Sequence, residues 1–88
     1  MKLEEKLSFC TYNNNTLIII NPKGNIRVLY TPFKVLCKEN IDESHKNKIQ
    51  KGTTVYVDTV YSNIQHQLLF RINGWIYSYK YFRIVVMF

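Results

Sequence analysis

The feature that most constrains this fold is the dipeptide Asn73-Gly74, set between two apolar and aromatic runs. Leu68, Phe70 and Ile72 alternate with Leu69 and Arg71, which is the period-two pattern of a half-buried strand. Asn and Gly both tolerate positive φ, as a type I′ turn demands, and the twist of that turn matches its flanking strands. Trp75, Ile76 and Tyr77 begin the return strand. Ser78-Tyr79-Lys80-Tyr81 lacks alternation and is expected to form one turn of 3₁₀ type. Phe82, Ile84 and Val86 then alternate with Arg83 and Val85, which predicts a last strand.

The upstream chain punctuates in the same way. Leu7 to Tyr12 reads as a strand, Asn13-Asn14-Asn15 as a turn and the β-branched run Thr16 to Ile20 as a second strand. Asn21-Pro22-Lys23-Gly24 suits a type I turn with a bulge. Asn25 to Tyr30 returns, with Ile26, Val28 and Tyr30 on one face and Arg27 and Leu29 on the other. Residues 7–30 are thus a predicted three-stranded meander. Pro32 has no N–H to donate and breaks the ladder. Phe33 to Lys38 is the next strand, with Phe33, Val35 and Cys37 facing one way.

Residues 39–52 are polar apart from Ile41 and Ile49, which are expected to pin a long loop to the core. A helical turn at 42–48 is compatible with that stretch. Gly52 ends it, and Thr53 to Tyr61 reads as one strand with Val55 and Val57 inward and Tyr56 and Asp58 outward. Residues 62–65 form a loop into the hairpin. Residues 1–6 are charged and are expected to be frayed or one loose helical turn.

From Phe33 onward the order is strand, long polar loop, glycine-led strand (Lys51-Gly52-Thr53-Thr54-Val55-Tyr56-Val57), central hairpin (Leu68 to Tyr77), short turn (Ser78-Tyr79-Lys80-Tyr81-Phe82) and last strand. Over residues 33–86 that order resembles the SH3-like small β-barrels. The resemblance implies an all-β fold, an SH3-like small β-barrel preceded by the 7–30 meander, in one domain over residues 1–88. The groove signature of signalling SH3 domains, an ALYDY-like segment and an acidic first loop, is missing. Phe33-Lys34-Val35-Leu36 stands in its place, so proline-rich ligands are not expected. In size and basic composition the chain is similar to compact SH3-like proteins of phages and mobile elements. A chain of 88 residues buries only about 60–65% of its unfolded surface. The 15% aromatic content lets a few residues fill that small core.

Catalytic chemistry finds little support. Glu4, Glu5, Glu39, Asp42 and Glu43 lie in polar segments, and Asp58 alone lies on a strand, where alternation turns it outward into solvent. No pair of groups held at fixed separation for acid–base work can be assembled. Cys10, Cys37, His45 and His66 show neither a nucleophile–base signature nor the close ligand pairs of zinc sites. Both cysteines lie in strands and are expected to be buried reduced thiols. Gly24, Gly52 and Gly74 are each accounted for by a turn, leaving no phosphate loop. The chain is therefore read as non-enzymatic, without metal or cofactor. No signal-peptide pattern and no run of about 20 apolar residues is present, so no membrane partner and a cytoplasmic location are expected.

The unusual surface is aromatic and basic. Arg71, Trp75, Tyr77, Tyr79, Lys80, Tyr81 and Arg83 crowd together with no acid among residues 71–83. Trp75 and Tyr77 share parity, and exposed opposite the core they would flank Arg71. Aromatic faces stack on unpaired bases while Arg and Lys contact phosphates. The same rings would serve equally well as core, with the cations solvated at its edges. Twelve basic against six acidic residues, a net charge of +6, favour an anionic partner: nucleic acid or an acidic protein surface. The expected function is a small module that binds nucleic acid or a nucleic-acid-processing complex. The second reading is a protein-interaction module, such as a phage or mobile-element inhibitor of a host protein. A third is homo-oligomerisation through strand edges, since Ile84-Val85-Val86-Met87-Phe88 carries no polar relief.

Overall fold

The computed structural model describes residues 7–42 and 48–88. The described residues form nine strands and one 3₁₀ turn, Tyr79–Tyr81. The strands are β1 (Ser8–Asn13), β2 (Thr16–Ile20), β3 (Ile26–Tyr30), β4 (Phe33–Cys37), β5 (Thr54–Val57), β6 (Thr59–Ser62), β7 (Leu68–Ile72), β8 (Trp75–Ser78) and β9 (Phe82–Ile84). They sort into three antiparallel sheets of three strands, in the orders β1-β2-β3, β5-β4-β9 and β6-β7-β8. The all-β expectation and the predicted strand–turn–strand order therefore hold. The helical turn considered for 42–48 and the frayed start at 1–6 fall on or overlap residues outside those described.

The first sheet is the predicted meander. Its second turn is held by Asn21, whose carbonyl accepts from the Gly24 amide at 2.9 Å and whose Oδ1 accepts from the Asn25 amide at 2.8 Å. Gly24 takes φ +86°, a left-handed conformation that a side chain would strain. Register pairs Phe9 with Ile19 and Leu17 with Leu29, so these residues share the inner face. Leu17 and Ile19 are fully buried there. The opposite parity places Cys10, Ile18 and Val28 in one outward row. Cys10 is consequently exposed, which corrects the expectation of two buried thiols; Cys37 alone is buried, its Sγ donating to the Glu39 carbonyl at 2.8 Å.

The strand expected over residues 53–61 is divided at Asp58. Val57 is fully inward and so is Val60, which moves the inward parity from odd to even positions. Two residues, Asp58 and Thr59, lie between them where strict alternation allows one, and the chain bends there. The first half pairs with β4 and the second with β7, so one run of chain serves two sheets. The Asp58 amide keeps a partner through the bend by donating to the Arg71 carbonyl at 2.9 Å.

The core joins all three sheets. Leu17, Ile19, Val35, Val57, Val60, Phe70 and Ile72 are essentially inaccessible to solvent, and Phe70 lies among other rings. Phe33 meets it edge-on at 5.7 Å and Phe82 tilts against it at 6.2 Å between centroids. The long loop is pinned as expected: Ile41 and Ile49 are buried and exchange two backbone hydrogen bonds of 2.8 and 2.9 Å.

Candidate functional site

The 3₁₀ turn that carries the site is specified locally. Ser78 keeps an extended backbone and its Oγ accepts from the Lys80 amide at 3.3 Å, capping the turn. Phe82 closes it by donating to the Tyr79 carbonyl and then enters β9. Lys80 is thereby left exposed at the apex, while Tyr79 turns back against Phe9 of β1, edge-on at 5.8 Å. At the end of β4 the Lys38 amide donates to the Tyr81 carbonyl at 2.7 Å, which brings Lys38 alongside the same turn.

These elements enclose a cleft of about 260 Å³ between the start of the meander and the C-terminal strand. It is lined by the apolar Leu7, Phe9, Phe82 and Ile84, by Tyr79, and by the cationic residues Lys38, Lys80 and Arg83. No carboxylate is among its described lining residues. The volume falls just below the roughly 300–1,000 Å³ of small-molecule and cofactor sites. It suits one planar base or one aromatic side chain. Lys38 and Lys80 beside the apolar lining residues would attract an anion whose body is partly apolar.

The seven residues singled out in the sequence do not form one surface. Tyr79, Lys80 and Arg83 meet at the cleft. Tyr77 does not belong to any exposed face: it is 3% exposed and packs edge-on against Phe82 at 5.9 Å. Register explains why. Tyr77 pairs with Phe70 and Trp75 with Ile72, so both rings lie on the inner side of the sheet rather than beside Arg71. Trp75 is 41% exposed because it sits at the turn end of that side. Tyr81 is half-buried against the core. Arg71 lies on the outer side, opposite Ile76, and its Nε is 3.8 Å from Asp58 Oδ1. The acid-free character of residues 71–83 thus ends in space at Arg71, and Asp58 is ion-paired rather than merely solvated.

Lys38, Leu7 and Phe9 were not foreseen as site residues. Lys38 reaches the cleft only because β4 pairs with β9, a contact across the whole second half of the chain. Among the described residues no group of three or more His, Cys, Asp or Glu side chains gathers as a metal site would require. No described helix is long and apolar enough to cross a membrane. Compared with known proteins, the chain matches no family model, no curated protein and no solved structure. Function is therefore read from geometry and charge.

Proposed function

We propose that this protein is a non-enzymatic binding module whose basic, aromatic-walled cleft engages nucleic acid, alone or within a nucleic-acid-processing complex. The observation that carries the reading is the convergence of Lys38 and Lys80, beside Arg83, on one cleft of mixed polar and apolar lining whose described residues include no acid. The net charge of +6 acts in the same direction by steering anions toward the molecule. An SH3-like small barrel over residues 33–86 is the architecture this reading adopts. It is supported by the sheet orders β5-β4-β9 and β6-β7-β8, by the strand they share through Asp58, and by the 3₁₀ turn before the last strand. The test is binding to labelled oligonucleotides across a salt series. Affinity should fall steeply as salt rises, and Lys38→Ala and Lys80→Ala should each weaken binding and flatten the slope by about 0.7–0.9 per lost phosphate contact. Salt-independent affinity, unchanged in both variants, would reject the reading.

A protein-interaction module is the second reading, favoured by a different observation. The outer side of the meander presents Ile26, Val28 and Tyr30 of β3 to solvent, with Tyr12 of β1 exposed nearby. Residues 7–38 contain no acidic side chain at all. An apolar exposed sheet side of this kind is typical of protein contacts, and a protein docked there should respond little to salt.

A further inference from the structure

The sheet β5-β4-β9 has two sides of opposite character. Phe33, Val35, Cys37, Val57, Phe82 and Ile84 fill the inner one. On the outer one, register sets Tyr56 directly opposite Lys34, and Leu36 opposite both Thr54 and Arg83. Opposed residues in an antiparallel pair project to the same side, so these five share it. Tyr56 is 58% exposed, a ring displayed on the strand rather than tucked into the core. Lys34 and Arg83 are diagonal neighbours on adjacent strands, about 7–8 Å apart at their Cα atoms. Arg83 also lines the cleft. The nearby Asp58 is turned to Arg71.

We propose that this outer side is a binding site for single-stranded nucleic acid, with Tyr56 as stacking platform and Lys34 as phosphate contact. The proposal rests on the nucleic-acid reading above and narrows it to unpaired strands. An exposed ring beside a cation suits a ligand that offers a free base face and a phosphate together. A duplex keeps its bases stacked and would meet the cations alone, leaving Tyr56 without a role. An acidic polypeptide without aromatic or base faces would use Lys34 alone, so its binding would not depend on the ring.

The experiment is fluorescence anisotropy of the full chain with labelled oligodeoxythymidine of about twelve nucleotides, within the ~4–16 nucleotide span of such sites. A duplex of equal length and an acidic polypeptide, polyglutamate, are the competing probes. Tyr56→Ala should weaken single-strand binding by about 5- to 140-fold, the range expected for one stacked base. Tyr56→Phe should restore most of it, and Lys34→Ala should lower the salt slope by about 0.7. Tyr56 lies outside the core, so the urea midpoints of these variants should match the parent. Unchanged single-strand affinity in Tyr56→Ala, with Lys38→Ala and Lys80→Ala still weakened, overturns this site and leaves the cleft reading in place. Preference for the duplex overturns it in the same way. Binding of polyglutamate or of neither oligonucleotide overturns both.

Discussion

Asn14 and Val60, 46 positions apart in sequence, exchange two hydrogen bonds. The Val60 amide donates to the Asn14 carbonyl at 2.8 Å, and Asn14 Nδ2 donates back to the Val60 carbonyl at 2.9 Å. The first turn of the meander is thereby joined to β6 as though it were a further strand. Replacing Asn14 by Ala removes one of these bonds and leaves a part-buried carbonyl unpaired. We expect a loss of about 1 kcal/mol in urea unfolding, or about 4–8 °C in Tm for a domain of this size. An unchanged midpoint would mean that the meander is attached through apolar packing alone.

Gly74 adopts φ +82° and Asn73 φ +51°, as the type I′ turn requires. Gly74→Ala has room for its methyl group but not the backbone freedom. It should destabilise by about 1–2 kcal/mol, whereas Asn73→Gly should be nearly neutral. Equilibrium denaturation of the pair separates turn strain from side-chain loss.

Tyr77 should behave as a core residue and not as a ligand contact. Tyr77→Ala is expected to cost about 3–5 kcal/mol, a large share of the ~4–13 kcal/mol that a domain of this length possesses. Tyr77→Phe keeps the ring against Phe82 and should retain oligonucleotide binding. A folded Tyr77→Phe protein with binding abolished would return this residue to the functional surface.

Arg27 holds the C-terminal residues. Its Nε donates to the Met87 carbonyl at 2.9 Å and its guanidinium lies 5.7 Å from the Phe88 ring centroid. At so exposed a position the cation–π part contributes about 0.5–1 kcal/mol. Arg27→Ala should therefore leave the unfolding midpoint within about 1 kcal/mol of the parent. The amides of residues 85–88 should exchange hydrogen measurably faster, and exchange rates equal to the parent would show that the clamp is idle.

Local turn chemistry made the hairpins legible in the sequence. Asn73-Gly74, Asn21 to Gly24, and the alternations on either side concern residues within a few positions of each other. The position of Tyr77 was legible too, through a signal not used: a two-residue turn forces Ile72 opposite Trp75 and hence Phe70 opposite Tyr77. Parity groups residues on a side but does not say which side is core, and the known inward parity of Phe70 and Ile72 settles that. The bend at Asp58 was hidden because Val57 and Val60 each fit a strand taken separately. Only burial of both reveals the extra residue. The ion pair of Asp58 with Arg71, the arrival of Lys38 at the cleft, and the meeting of Lys34 with Tyr56 depend on pairings between distant segments. No local pattern in the residues themselves encodes those pairings.

The bend at Asp58 has a consequence for how this protein comes apart. Because Thr54 to Ser62 supplies a member to two ladders, pulling either sheet open drags on the backbone of the other. Amides in β4 and in β7 should accordingly lose protection in one concerted event, with the two sheets behaving as a single mechanical unit under heat, denaturant or force.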